Sequence, residues 1–230
     1  MRRSRQPAPT PVPFSPQAAR SHRAGLGLTP EQVAAGMAAH GVRLLSTHVL
    51  GWESGEMRPT EEEFIALARA LWCPAVQLMG VRPGSLRDFR VARELGREQT
   101  ARQVGIGLKS YEQAELSGRW TGDEAQTQAL AEVLGLTLRD LVQVTGATEE
   151  LEQRLRQCVD GRWQAQLKAV GRLVPAPRAA LSTVLAALQG EYQVNSYWGS
   201  SAPDDPQQPT EPLERRFWAL LAATETGIPV

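Results

Sequence analysis

A repeat in the first two thirds of the chain constrains its fold more than any other feature. The segment Ala-Arg-Ala-Leu at residues 68–71 recurs 63 residues later as Ala-Glu-Val-Leu at residues 131–134. Glu53 and Glu115 hold matching positions 62 residues apart. Because related segments at a nearly constant separation indicate duplication, the sequence predicts the same small unit twice in succession.

Both copies have the pattern of short helices. In the first copy, Thr29 is placed as an N-cap, with Pro30 at the first helical position and Gln32 at the third, the spacing of a capping box. A brief helix is predicted within residues 46–59, with Ser46 or Thr47 as its N-cap and Gly55 at its exit. The following segment, residues 64–71, repeats apolar residues at helical spacing and predicts a helix against which the first two pack.

Four blocks of the first copy together resemble the phage-repressor type of helix-turn-helix family, also called Cro/C1 or Xre-like. The blocks are L-T-P-E-Q-V-A, V-L-G-W-E-S-G-x-x-x-P, F-I-A-L-A-R-A-L and L-M-G. The resemblance covers roughly residues 19 to 146. It implies an all-α fold with two tandem helix-turn-helix domains and a helical region after them. The implied function is a bacterial transcription regulator that binds specific sequences of double-stranded DNA.

The second copy can be aligned on the same family pattern. Residues 98–106 correspond to the second helix and its turn, and residues 108–115 to the recognition helix. The first copy carries about five more residues between Met37 and Leu45, which predicts a longer turn. In the family, the third helix enters the major groove and the second crosses the DNA backbone.

The resemblance places base contacts on the first turns of each recognition helix. In the second copy, Lys109 suits guanine, Gln113 suits adenine and Glu112 can accept from cytosine, whereas the first copy offers mainly hydroxyls and apolar atoms. The predicted base-reading residues are Ser46, Thr47, His48, Gly51, Leu108, Lys109, Glu112 and Gln113. For His48, a solvated polar position is the alternative.

Phosphate contacts are expected from arginines around these helices. The predicted set is Arg43, Arg58, Arg90, Arg97 and Arg119. Arg90 shares one face of a helix over residues 86–95 with Arg87 and Arg93, and this face lies either along phosphates or in solvent.

The aromatic positions of the two copies differ. Trp52 is interpreted as a core residue that packs the first recognition helix inward. The second copy has Ala114 there, so Tyr111 or Trp120 must restore the packing. Without it, the second copy is a structural duplicate and reads no bases.

The remaining segments complete the predicted domain organisation. The predicted divisions are a disordered tail over 1–18, helix-turn-helix domains over 19–80 and 86–146, a helical region over 147–199, a flexible linker over 200–212 and an amphipathic helix over 213–230. The arginines of the tail suit a basic arm on DNA, the alternative to an unstructured start.

The C-terminal region contains apolar stripes at helical spacing. Thr148 is the predicted cap of a helix in which Leu151, Leu155, Val159 and Trp163 form one stripe. A further helix is predicted from Arg178 to near Gly190. The last helix, whose apolar pattern runs over residues 213–224, presents its apolar residues either to a core or to a homodimer or protein partner.

Composition excludes several other classes of function. The chain has 230 residues and zero net charge, so a DNA-binding surface must be a local patch. It contains no sequence motif of a hydrolase, a phosphate-binding loop or a zinc enzyme, so we expect no enzyme, no cofactor and no metal. It also lacks an apolar run that predicts a membrane span or a secretory signal, which favours a cytoplasmic protein, nucleoid-associated when bound to DNA. The alternative function is an adaptor that uses this fold to bind a protein, such as a toxin or a polymerase subunit.

Overall fold

The computed structural model describes residues 11–193 and 211–224. Within these ranges the chain is 70% helical, with 14 helices and no strand, which confirms the predicted all-α class. The helices are α1 Pro16–Gly25, α2 Pro30–Ala39, α3 Ser46–Ser54, α4 Glu61–Ala70, α5 Ala75–Met79, α6 Leu86–Ala92, α7 Arg97–Val104, α8 Leu108–Ser117, α9 Glu124–Leu134, α10 Leu138–Val144, α11 Thr148–Asp160, α12 Trp163–Leu173, α13 Arg178–Gln193 and α14 Leu213–Thr224.

The described residues form two compact units. The first unit contains the chain up to Gly118 together with Gly122–Leu134, and the second contains Arg119–Thr121 and the chain from Gly135 onward. The domain limits predicted near residues 80 and 146 fall inside these units. No described helix is both long and apolar enough to cross a membrane.

Local capping chemistry explains where several helices begin. The predicted capping box of α2 is confirmed, because the Thr29 N–H donates to the Gln32 side chain at 2.7 Å and the Gln32 N–H donates to Thr29 Oγ1 at 3.3 Å. The same reciprocal arrangement starts α4, α6 and α10. Each box satisfies two backbone donors that a helix start otherwise leaves without an intrahelical partner.

Two predicted caps are wrong. Leu45 is the N-cap of α3, so Ser46 is already the first helical residue and neither Ser46 nor Thr47 caps the helix. Ala147 is the N-cap of α11, which places Thr148 at the first helical position. In both cases the helix already includes the hydroxyl residue that was predicted to cap it. The side chain at the N-cap forms no hydrogen bond with the backbone N–H groups of the first helical turn.

The N-terminal segment is also better packed than predicted. Residues 11–18 do not belong to a disordered tail, because Val12 and Phe14 are buried in the first core and Phe14 meets Phe64 edge to face at 6.1 Å. Ser15 donates its N–H to the Leu78 carbonyl at 2.7 Å and caps α1 with its hydroxyl. The part of the predicted tail that precedes residue 11 lies outside the described residues.

The core of the first unit explains the position of α3. Trp52 is buried in the same core as Met37, Phe64 and Leu67, as predicted for a core tryptophan. Gly36 lets α2 approach α4 closely, since a Cβ at Gly36 would lie 3.3 Å from the Ala70 Cβ. The face of α3 opposite Trp52 is consequently turned outward.

Gly80 provides a stability prediction. It ends α5 with φ +69°, and a Cβ there would lie 2.6 Å from the Ser15 Cβ, which is held by the α1 cap. We expect Gly80→Ala to lower the free energy of unfolding by at least about 2 kcal/mol, because it combines left-handed strain with a clash. Urea denaturation followed by circular dichroism measures the change.

Gly105→Ala is the matched control for that substitution. Gly105 ends α7 at φ +79°, and a Cβ there would have no neighbouring atom within 4 Å, so this variant isolates the backbone strain at roughly 1 kcal/mol. Equal losses for the two variants would show that the Ser15 clash relaxes without penalty.

The second unit has its own core, to which α11, α12, α13 and α14 all contribute. The predicted stripe of α11 is partly wrong, because the helix ends at Asp160 and Trp163 begins α12. The prediction that α13 ends near Gly190 is also inaccurate, since the helix continues to Gln193. Most of the predicted linker over residues 200–212 lies outside the described residues.

Helix α14 lies within the amphipathic helix predicted over residues 213–230, of which residues 225–230 lie outside the described residues. Its apolar residues Phe217, Trp218 and Leu221 are buried in the core of the second unit. These side chains therefore pack within the chain itself, and this face is not open to a partner.

Candidate nucleic-acid interface

The exposed face of α8 carries polar side chains at helical spacing. Lys109 and Gln113 are exposed and four residues apart, so they lie on one face. Among the described residues, neither side chain has a hydrogen-bond or ion-pair partner. Leu108 is also exposed, whereas Glu112 is half-buried. Four predicted base-reading residues thus lie on one helix, and two of them are free to bond with a ligand.

The opposite face of α8 is packed. Tyr111 and Ala114 are buried, so Tyr111 supplies the bulk that Ala114 lacks, one of the two alternatives predicted from the sequence. Trp120 is half-buried in the second unit. Burial and the nearby Glu115 carboxylate raise the pKa of Tyr111, which keeps this phenol neutral.

A buried ion pair holds the C-terminal end of α8 against α6. Arg90 donates from Nε to Glu115 Oε1 at 2.6 Å and from a terminal nitrogen to Glu115 Oε2 at 3.2 Å. It also donates to the Leu95 carbonyl at 2.8 Å. We call Arg90, Leu95 and Glu115 the second arginine clamp. Its bidentate geometry fixes both the distance and the angle between the two helices.

The first copy contains the same arrangement between α1 and α3. Arg23 donates to both oxygens of Glu53 at 2.7 Å and to the Leu28 carbonyl at 2.9 Å. Arg23, Leu28 and Glu53 form the first arginine clamp. In each clamp the arginine bonds the carbonyl five residues ahead and the glutamate near the end of the third helix of its copy. The sequence repeat is thereby matched by a repeat of hydrogen bonds.

The second arginine clamp is the more deeply buried. Side-chain exposure is 17% for Arg23 and 7% for Glu53, against 0% for Arg90 and 4% for Glu115. Burial lowers the pKa of Arg90, but hydrogen bonds to Glu115 and Glu61 outweigh it, so its pKa lies above the ordinary value. The hydrogen bond to Glu53 likewise raises the pKa of Arg23. Both guanidiniums are charged at every physiological pH.

These contacts overturn the predicted role of Arg90. The prediction that it contacts phosphate is wrong, because its side chain is fully buried and bonded to carboxylates. Arg87 also pairs with Glu61, at 3.1 Å, and Arg93 donates to the Leu134 carbonyl at 2.9 Å. The helix α6 therefore does not present a row of free arginines to solvent or to phosphate.

The other predicted phosphate contacts lie nearer the surface. Arg97 starts α7 with its side chain 41% exposed, but its guanidinium pairs with Glu115 at 3.2 Å and Glu61 at 3.7 Å. Arg43 and Arg58 in the first unit and Arg119 in the second are exposed. Among described residues, Arg43 and Arg58 have no carboxylate partner, which leaves them the best placed of the set.

The recognition segment of the first copy differs in chemistry. Thr47 is exposed, Ser46 is half-buried, and His48 is half-buried with its ring edge to face against Trp52 at 6.5 Å. Gly51 is buried beneath the Met57 side chain, whose sulfur would lie 3.4 Å from a Cβ at this position, so the prediction that Gly51 reads bases is wrong.

Apolar side chains surround the exposed residues of α3. Leu45, Leu50 and Met57 are 69%, 49% and 41% exposed.

The turn before α3 runs from the end of α2 at Ala39 to Ser46, while the turn before α8 runs only from Val104 to Leu108. The predicted longer turn of the first copy is confirmed, and it carries the exposed Leu45.

Sequence reasoning missed the residues that position both helices. Arg23 and Arg90 are 67 residues apart, and the same separation relates Val33 in α2 to Thr100 in α7. That shared offset, together with the Glu53 and Glu115 match, was the available signal for the two clamps. Nothing comparable pointed to Glu61.

Metal chemistry has no candidate in the described part of the chain, where no three His, Cys, Asp or Glu side chains come together as ligands. Cys73 and Cys158 are buried free thiols. Burial raises the pKa of Cys158 to about 11, which disfavours the reactive thiolate.

In comparisons with known proteins, the chain matches no family model, no curated protein and no solved structure.

Proposed function

We propose that this chain is a sequence-specific DNA-binding regulator of transcription, built from two helix-turn-helix copies in tandem. The observation that carries the proposal is the face of α8, where Lys109 and Gln113 project without partners among the described residues, above a helix fixed by the second arginine clamp. An α-helix fits the major groove, and these two side chains suit guanine and adenine edges. A rigidly held helix lets such contacts discriminate between bases.

The first copy has a different part in the proposal. Its third helix offers the Thr47 hydroxyl and apolar contacts, which suit thymine methyl groups and give weak discrimination. Arg43 and Arg58 supply phosphate contacts beside it. In this arrangement the second copy determines which DNA sequence is preferred, and the first copy adds affinity and fixes the register of the protein on the DNA.

A second candidate function is an adaptor that binds a protein through α3. The exposed Leu45, Leu50 and Met57 favour it, because exposed apolar residues close together are typical of protein interfaces. The zero net charge of the chain favours it as well.

Selection from a randomised duplex pool distinguishes the two functions. The full-length protein is mixed with the pool at about 0.15 M salt, and the retained duplexes are sequenced. Enrichment of a motif supports the regulator and gives its binding sequence. No enrichment, at this and at lower salt, contradicts the regulator and favours the adaptor.

Substitutions on the proposed interface give the corresponding prediction. We expect Lys109→Ala to lose about 1 to 3 kcal/mol of binding free energy at one base pair of the selected site, because one base contact is removed. Arg58→Ala should weaken binding to all sequences alike and reduce the salt slope by about one. Fluorescence anisotropy titrations over a salt series measure both quantities.

The control is Lys168→Ala, which removes an exposed lysine from α12 in the second unit. It changes the net charge as Lys109→Ala does but should leave the base preference intact. If the two lysine variants behave alike, the effect of Lys109 is general electrostatics and α8 does not read sequence.

A further inference from the structure

Glu61 is a contact of the second arginine clamp that the first clamp lacks. It is the first helical residue of α4, in the first copy, yet its carboxylate accepts from Arg90 at 2.5 Å and from Arg87 at 3.1 Å, both on α6 of the second copy. Arg97 on α7 lies 3.7 Å from the same carboxylate. One side chain of the first copy therefore meets three arginines of the second.

Burial makes this contact structurally important. Arg90 is enclosed between Glu61 and Glu115, and a buried guanidinium needs both its charge and its donors satisfied. Other connections between the copies are less directional. Val91 of α6 packs in the core of the first copy, and Arg69 pairs with Glu94 at 2.8 Å on the surface. Apolar packing tolerates rotation and exposed pairs contribute little, whereas the bond between Glu61 and the buried Arg90 sets an angle between the helices.

We propose that Glu61 is a positioning residue that joins the two helical copies into one rigid body, so that a single chain binds two half-sites only at one fixed spacing. This inference rests on the proposed function for its DNA part, but the rigidity itself is a property of the protein alone. Two readouts therefore separate them.

The chain offers a matched control for the variant Glu61→Gln. Glu124 is the first helical residue of α9, 63 residues after Glu61, and it is exposed. Glu124→Gln removes the same charge from the same position of the repeated helix. It does so without touching an arginine clamp, so it reports the effect of helix-terminal charge alone.

The first readout is the distance between the two recognition helices in the full chain. Spin labels on Thr47→Cys and Ser110→Cys, both exposed positions, report that distance by pulsed electron resonance, and single-cysteine variants account for the buried native thiols. We expect one narrow distribution for the wild type and Glu124→Gln, and a broader one for Glu61→Gln. A Glu61→Gln distribution as narrow as wild type overturns the proposal, since Val91 packing would then suffice.

The second readout is affinity for duplexes that carry the two selected half-sites at different separations. Moving one half-site by about half a helical turn places it on the opposite face of the DNA. We expect this shift to weaken wild-type binding by about tenfold or more and Glu61→Gln binding by less than about threefold, because a flexible link keeps both sites within reach. Equal spacing dependence in the two proteins overturns the inference.

The combined outcomes keep the two proposals apart. A narrow wild-type distribution that broadens in Glu61→Gln, with no duplex bound, supports the rigid link and contradicts the DNA-binding function. If Glu61→Gln loses helix content by circular dichroism, Arg87→Gln replaces it, because that variant keeps the bond between Arg90 and Glu61. It should broaden the distribution by a smaller amount, and an unchanged width would again overturn the proposal.

Discussion

Replacing Arg90 with methionine is expected to lower the free energy of unfolding by about 3 to 5 kcal/mol, because it leaves two carboxylates without their buried partner. Glu115 is 4% exposed and Glu61 is 20% exposed, so neither can recover full hydration. Methionine fills much of the volume of the lost side chain, which keeps cavity formation a minor part of the loss. Hydrogen exchange followed by mass spectrometry locates the loss in α4, α6 and α8.

The control for this prediction is Arg102→Met. Arg102 pairs with Glu98 one helical turn away, with both side chains 76% exposed, so its loss should change stability by less than about 0.5 kcal/mol. A triple variant that adds Glu61→Gln and Glu115→Gln to Arg90→Met should recover part of the stability, since no unpaired charge then remains buried. An Arg90→Met protein as stable as Arg102→Met would mean that the second arginine clamp is not a structural element.

The same contacts imply that the free energy of unfolding depends on pH. Burial raises the pKa of Glu61, but hydrogen bonds from Arg90 and Arg87 outweigh it, so its pKa lies below the ordinary value. A carboxyl whose pKa is lowered by folding adds stability above its unfolded pKa, and that stability is lost as pH falls through the folded value. The wild type should lose this contribution in acid, whereas Arg90→Met should lose less, because its largest stabilising partner is absent. Urea denaturation of both proteins over a pH series measures the difference.

Local features of the fold could be predicted from the sequence. The capping box of Thr29, the end of α3 at Gly55 and the start of α14 depend on residues within one or two turns of each other. The longer turn before α3 followed from counting residues between aligned positions. Each of these depends on chemistry that neighbouring residues carry with them.

Features that depend on distant partners could not be predicted in the same way. Arginine spacing placed Arg87 and Arg90 on one helix face, but it could not reveal that Glu61 lies opposite that face. Val12 and Phe14 lie in the segment predicted as a disordered tail, because nothing in an irregular segment indicates the surface on which it packs. The exposure expected of base-reading and phosphate-binding residues is found at Lys109 and Gln113, but not at the buried Arg90 and Gly51.

Replacing Phe217 with alanine is expected to destabilise the second unit by about 3 to 5 kcal/mol, because it leaves a cavity in the core. Phe217 is fully buried and meets Trp218 edge to face with ring centroids 5.1 Å apart. Hydrogen exchange in α11 to α14 measures the loss, and light scattering records the mass of the particle. We expect the exchange to accelerate while the mass of the folded protein stays the same.

Arg215→Ala is the control on the same helix, because the Arg215 side chain is 73% exposed and pairs with Glu211 one turn away. It should shift stability by less than about 0.5 kcal/mol. The comparison tests in solution whether the apolar face of α14 is stabilised by the core in which the structure places it. Replacing a core residue accelerates hydrogen exchange in its own helices at any protein concentration. Replacing an interface residue instead lowers the mass of the particle measured by light scattering. If Phe217→Ala reduces the mass and leaves the exchange rates unchanged, the face is an interface between copies and its burial within one chain does not carry the energy.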